Sequence, residues 1–369
     1  RALATWRERH PEIAGFDHYD RLLEWGEFDA VFLATPVPLH APQALAALAA
    51  GKHVLSEVVA ATTLDECWAL VEAVERTGLT YMMAENYCYQ RANLMVLNMV
   101  EQGVFGQPVY AEGAYIHDTR NLTARPDGSL TWRGELHRDY DRNRYPTHSL
   151  GPVSQWLRIN RPGGDRLAST VSYGTDPFNV RRWFEAEFGP EHPGAKPGFF
   201  RQGDSTVTLI RTERGALITI RVDSASARPH NMTHYQLQGT HGAYLSPRYG
   251  GEEPLIWLDG RSPGTSPPKP NRHPEWQPLW TYAGEFEHPY WREFGEAARS
   301  AGHGGGDFFV LRDFIAAIQG GARPAIDVYD AVTVSSIIPL SERSIAEGGT
   351  TLEIPDFARG NRLRGELTG

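Results

Sequence analysis

Residues 29–35, 53–57 and 80–85 are three short runs of apolar, β-favouring residues, and two helix-patterned segments, 41–50 and 64–76, lie between them. Spacing of this kind is what strand–helix–strand crossovers require, and successive crossovers build a parallel sheet covered by helices. Gly51 and Gly78 follow the two helical segments, where a left-handed residue closes a helix. The chain is therefore expected to open as an α/β sheet, which binds ligands beyond the carboxyl ends of its strands. Thr35 and Pro36, Glu57, and Glu85 with Asn86 stand at those ends.

Beyond Gly106 the pattern changes to longer β-like segments, 108–115, 205–211, 216–223 and 235–238, with helical segments at 306–318 and 329–346. A division follows: residues 1–106 as one domain and 107–369 as an α+β domain with a large, mostly antiparallel sheet. Residues 260–274, rich in Pro and Gly, are expected to be an irregular surface excursion. No Gly-x-Gly-x-x-Gly stands between a strand and a helix, and the glycines at 302–306 have neither the spacing nor a preceding strand.

Composition excludes several classes. At 369 residues and 41% hydrophobic content the chain can bury a full core. The net charge of -9 comes without a basic stripe, which argues against nucleic acid as a partner. No run approaches the ~20 apolar residues that span a bilayer, so no membrane is expected, and residues 1–10 read as an amphipathic helix. Cys67 and Cys88 supply no disulfide framework. His137, Asp139 and Asp141 lack a metal-ligand spacing, so no metal is expected, and no Gly-x-Ser-x-Gly elbow marks a serine hydrolase.

Residues 29–57, DAVFLATPVPLHAPQALAALAAGKHVLSE, resemble the Gfo/Idh/MocA oxidoreductases, in which a strand ends in Thr-Pro, a His follows, and Gly-Lys-His-Val leads to Glu-Lys-Pro. Here that element reads Glu57-Val58-Val59, without the lysine. The stretches 82–89 (MMAENYCY), 112–118 (EGAYIHD), 145–153 (YPTHSLGPV), 238–240 (QGT) and 303–307 (HGGGD) are similar to one branch of that superfamily, the NAD-dependent α-N-acetylgalactosaminidases. That branch also tends to lack the lysine, so Val58 agrees with it. The resemblance implies a Rossmann-type sheet whose first strand, glycine-rich turn, helix and second strand precede Arg1, and therefore an incomplete dinucleotide cradle in this sequence. It further implies NAD as cofactor, a carbohydrate or glycoside as substrate, and a homodimer formed through the second sheet.

In this branch hydrolysis proceeds by oxidation at C3 of the sugar, elimination, water addition and re-reduction, with the cofactor regenerated. The chemistry needs a base and donors for a developing enolate rather than two flanking carboxylates. His148, Tyr145 and Tyr115 are the expected catalytic residues: a neutral imidazole takes protons near neutral pH, and phenols relay or donate them. Substrate contacts are expected from these three with Glu85, His117 and Asp118. Thr35, Pro36, His40, Glu57 and Asn86 are the expected cofactor contacts. For each there is a plainer structural role: a buried, bonded His148 beside Pro146, a packed Tyr115, a helix-capping Glu85 or Asp307, and ordinary helix-face or strand-end places for His40 and Glu57. Arg228-Pro229-His230 departs from the branch, which places an aromatic after Arg-Pro, and removes the basis for assigning N-acetylgalactosamine. Two other functions remain open: a sugar dehydrogenase that releases oxidised product, and a sugar-binding protein without catalysis.

Overall fold

A computed structural model describes residues 2–229, 232–264, 274–320 and 323–360. His230 and most of the segment 260–274 lie outside the described residues. The first three apolar runs are β1 (Ala30–Leu33), β2 (His53–Ser56) and β3 (Tyr81–Met83), paired in parallel in the order β1-β2-β3. Helices His40–Ala49 and Leu64–Thr77 make the crossovers. Thr63 and Glu66 form a reciprocal capping box at the start of the second, and Gly78, at φ 67°, ends it in the left-handed conformation that glycine adopts without strain.

The second sheet has nine strands: β4 (Pro108–Ile116), β5 (Leu167–Gly174), β6 (Ser205–Thr212), β7 (Leu217–Asp223), β8 (Met232–Gly239), β9 (Gly242–Leu245), β10 (Leu255–Leu258), β11 (Gln277–Pro278) and β12 (Leu352–Glu353). Their order is β11-β10-β9-β8-β4-β7-β6-β5-β12, antiparallel throughout except for the parallel pair β4–β7. The fold is thus α/β with a small parallel sheet and a larger, mostly antiparallel one, as the sequence implied.

Strand β5 has no hydrophobic signature because its inner face is polar. Thr170 and Ser172 are buried there, Ser172 shares a 2.8 Å hydrogen bond with Thr208 of β6, and its backbone N–H donates to Ser344 Oγ at 2.9 Å. The segment expected as one helix over 329–346 is two, Val328–Ser335 and Ile337–Ala346. Pro339 is the cause: it has no N–H to give to the Ser335 carbonyl, and its ring crowds that oxygen.

Two large clusters make up the core. One joins the parallel sheet and its crossovers to late residues, Phe309, Phe314, Ile326, Val328 and Val332 among them. The backbone is continuous there too, since Met83 N–H donates to Ile326 O at 3.0 Å. The other packs the helix Thr147–Trp156 onto the inner face of β4, β7 and β8, with Trp156, Leu150, Ile218, Ile220 and Leu237 inside it. Trp156 anchors that helix by donating from Nε1 to Asn93 O at 3.0 Å. Among the described residues no helix is long and apolar enough to cross a membrane.

Candidate active site

Strand β4 and the helix Thr147–Trp156 meet backbone to backbone. A Cβ on Gly113 would lie 1.8 Å from Ser149 O, so only glycine allows the approach. The contact brings Tyr115, two residues along β4, against Tyr145 and His148 at the helix start. Tyr115 and Tyr145 stack with centroids 5.4 Å apart, and each meets the His148 ring edge-on, at 4.8 and 5.0 Å. Tyr87 covers a further side of the imidazole, 4.3 Å away.

Pro152 lies inside this helix, four residues after His148, and cannot donate to the His148 carbonyl. Tyr235 of β8 supplies the missing donor: its hydroxyl reaches His148 O at 2.5 Å, fully buried. The ring itself is oriented from behind. Nδ1 of His148 is 2.7 and 3.0 Å from the two carboxylate oxygens of Glu85, which has no exposed surface and also accepts from Tyr87 N–H at 3.2 Å. A carboxylate at Nδ1 fixes the proton there and leaves Nε2 as the ring's acceptor. Glu85, expected among the substrate contacts, thus stands behind His148, where both its helix-capping bond and its contact with the imidazole are made.

The cavity in front of this cluster has a volume of about 350 Å³. Of the residues singled out in the sequence, Thr35, His40, Glu57, Tyr115, His117, Tyr145 and His148 line it, together with Val58; Pro36, Glu85, Asn86 and Asp118 do not. Tyr115 hydrogen-bonds His117 Nδ1 at 2.5 Å. Burial raises both the Tyr115 and the Tyr145 phenol, so each stays protonated and serves as a donor. Asp118 instead clasps Arg120 with both oxygens, at 2.8 and 2.7 Å. Burial pushes its carboxyl up, and the bonds and charge of Arg120 outweigh that and hold it low.

The parallel sheet offers its carboxyl edge to the same cavity. His40 is buried between two backbone carbonyls, with Nδ1 2.8 Å from Val59 O and Nε2 2.7 Å from Thr35 O, and its N–H donates to one of them. Glu57, its carboxyl raised by burial, directly follows β2. Asn86 follows β3 and donates to Asp307 Oδ1 at 2.8 Å, and Asp307 accepts from or pairs with His303 Nδ1 at 2.9 Å. Asn86 Oδ1 is buried without a partner among the described residues, an acceptor that a ligand's hydroxyl or amide would satisfy. Thr35, Glu57 and Asn86 at three successive strand ends fit a dinucleotide laid across this edge.

Several lining residues had no signal in the sequence, Thr119, Trp132, Arg133, Arg144 and Asp223, whereas His303, which also lines the cavity, opens the 303–307 stretch singled out there. Arg144 directly precedes the Tyr145 motif, and adjacency alone could have drawn attention to it.

The family model described as "Glycosyl hydrolase 109, C-terminal domain" matches residues 89–364, and the one described as "Oxidoreductase family, NAD-binding Rossmann fold" matches residues 2–85. A glycosyl hydrolase family 109 protein of Stenotrophomonas maltophilia is 36% identical over 360 residues, covering 93% of this chain and 75% of its own length. One from Solibacter usitatus is 36% identical over 346 residues, with the same two coverages, 93% and 75%. Among solved structures, levoglucosan dehydrogenase in complex with NADH and L-sorbose superposes with a TM-score of 0.75 at 21% identity, covering 97% of this chain and 88% of that one. An NAD binding oxidoreductase from Klebsiella pneumoniae gives 0.70 at 18% identity, with 96% and 88% covered. Both are likenesses of fold.

Proposed function

Because the chain belongs to the glycosyl hydrolase 109 family, an NAD-dependent, sugar-active branch built on an oxidoreductase fold, we propose that its cavity cleaves a glycosidic bond by transient oxidation of the sugar. The observation that carries this reading is the Glu85–His148 pair enclosed by Tyr115 and Tyr145 at the junction of the two sheets. When bound, NAD supplies reversible oxidation at C3, which acidifies the C2 proton and allows elimination and water addition without net consumption of the cofactor.

In this reading residues 1–106 carry the cofactor and 107–369 the substrate. Thr35, Glu57 and Asn86 hold the dinucleotide, with Pro36 and His40 shaping the edge beside them. His148, its Nδ1 proton held by Glu85, uses Nε2 to take the sugar hydroxyl proton. Once that proton has passed to solvent, Nε2 takes the C2 proton as well, and Tyr145 donates to the oxygen that gains charge as C2 loses it. Tyr115, bonded to His117, passes a proton to the leaving oxygen. Val58 places an apolar surface where a lysine would otherwise compete for these protons. Val207, Leu209 and Leu217 are 40%, 40% and 42% exposed on the outer face of the large sheet, and that face pairs two copies of the chain.

The test uses the full-length enzyme with a panel of aryl α- and β-glycosides, with and without NAD, following phenol and NADH together. NAD-dependent phenol release with no net NADH is expected. Accumulating NADH with an intact glycosidic bond would make the protein a dehydrogenase, and neither signal would leave it a sugar-binding protein.

A further inference from the structure

His148 has to handle two protons in succession, and its surroundings give the first one no way out. The imidazole takes a proton as the sugar is oxidised and must shed it before it can accept the C2 proton. It is 6% exposed, with Tyr87, Tyr115 and Tyr145 against its ring. Burial raises all three phenols, so each keeps its own proton at rest and none is an acceptor for another.

Four histidines line the cavity: His40, His117, His148 and His303. His40 lies between two backbone carbonyls, and His117 is bonded to Tyr115. His303 differs, because its side chain is 49% exposed, so the same ring meets both the cavity and the solvent. Tyr87 touches both imidazoles, with its centroid 4.3 Å from that of His148 and 6.3 Å from that of His303. Glu57 also lines the cavity but is committed to the dinucleotide in the reading above.

His303 is held much as His148 is. Its Nδ1 lies 3.0 and 2.9 Å from the two oxygens of Asp307, which also accepts from Asn86 at 2.8 Å. A carboxylate at Nδ1 keeps a proton there and leaves Nε2 to take up and release another. His303 sits at φ 52°, the left-handed region that strains a residue carrying a Cβ, although glycines stand on either side of it at 302 and 304. Gly306 seats the turn against the end of β3, since a Cβ there would lie 2.3 Å from Asn86 O. A turn with glycine to spare thus sets an imidazole at its strained position.

We propose that His303, backed by Asp307, is the proton shuttle of this active site. It accepts the proton that His148 releases, through solvent in the cavity, passes it to the medium, and returns one before the sugar is reduced again. One proton leaves and one comes back in each turnover, so the transfers balance. The inference rests on the oxidation and elimination reading, in which a single imidazole serves two successive deprotonations.

The experiment compares the full-length wild type with His303→Asn, on an aryl glycoside with NAD in a weakly buffered medium, following NADH and phenol by stopped flow. Asn tolerates the left-handed backbone and can donate to Asp307, but does not titrate. The first NADH should form at the wild-type rate, because His148 is free when the reaction starts. Phenol release and kcat should fall by about tenfold to a hundredfold, as loss of a proton-transfer group does, and added imidazole should restore kcat to within about threefold of wild type. A kcat within about twofold of wild type, a loss that imidazole does not restore, or an equal slowing of the first NADH would overturn the proposal. If the wild type accumulates NADH and leaves the glycosidic bond intact, the glycosidase reading alone fails; NADH turnover in His303→Asn, with and without imidazole, then decides the shuttle. A wild type that forms neither product ends both.

Discussion

Replacing Glu85 by Gln isolates the contact that orients the imidazole. The side chain keeps its shape, still fills a site with no exposed surface, and can still accept from Tyr87 N–H. What changes is the pair of oxygens 2.7 and 3.0 Å from His148 Nδ1. A hydrogen bond to a charged partner is worth about 1.5–3 kcal/mol, so its loss should lower kcat/KM by about tenfold to 150-fold. An amide can also turn its NH₂ toward Nδ1, which moves the ring proton to Nε2 and removes the acceptor; the loss would then reach about 10⁴-fold, as in the aspartate-to-asparagine change in a serine protease triad. The assay is kcat/KM for an aryl glycoside at saturating NAD, with thermal unfolding to confirm that the variant folds and ¹⁵N NMR of His148 to read the tautomer. A variant that folds, keeps the proton on Nδ1 and retains activity within about twofold would refute the orienting role of Glu85.

Tyr115→Phe keeps the stacking on Tyr145 and removes the hydroxyl bonded to His117; a loss of about 100-fold or more in kcat is expected, the scale of a lost proton transfer, and a loss below about fivefold would return Tyr115 to packing alone. Tyr235→Phe strands the buried His148 carbonyl that Pro152 cannot serve; chemical denaturation should show a loss of about 1–3 kcal/mol, and an unchanged midpoint would mean another donor reaches that oxygen. His288 caps the helix Pro289–Ala298 by accepting from Tyr290 N–H, and burial pushes it down to about 4. Its folded value lies below the ordinary one near 6.5, so its contribution to stability is present above that value and is lost as pH falls toward about 4. His288→Asn, which keeps the cap, should flatten the melting temperature between those two pH values, and an unaltered pH dependence would remove His288 as its source.

The legible parts of the molecule were those where burial leaves a period in the sequence. Val31 and Leu33 on β1, the apolar face of Leu64–Thr77 and the glycine that ends that helix all announce themselves locally. Strand β5 did not, because Thr170 and Ser172 satisfy their hydroxyls across the interior rather than excluding water with hydrocarbon. The candidate site was readable in part: His148, Tyr145 and Tyr115 stand in stretches that resemble a known branch, and the fold gathers them. Glu85 was visible, but its place behind the imidazole depends on a partner 63 residues away. Arg133 carries no local pattern, since its place in the cavity wall is a property of the fold alone, and Arg144 has only its position beside Tyr145.

Gly113 and Ser149 touch through main chain, not through side chains. The spacing between Tyr115 and His148 is therefore inherited from peptide geometry, which mutation elsewhere in the cavity leaves alone. The part of the cavity wall that carries Trp132 and Arg133 comes from another segment, the helix Trp132–Asp139, outside that contact. That wall can thus be rewritten while Tyr115, Tyr145 and His148 stay in register. The aromatic cluster around His148 and the helix Trp132–Asp139 can vary separately, and a single glycine is the hinge of that separation.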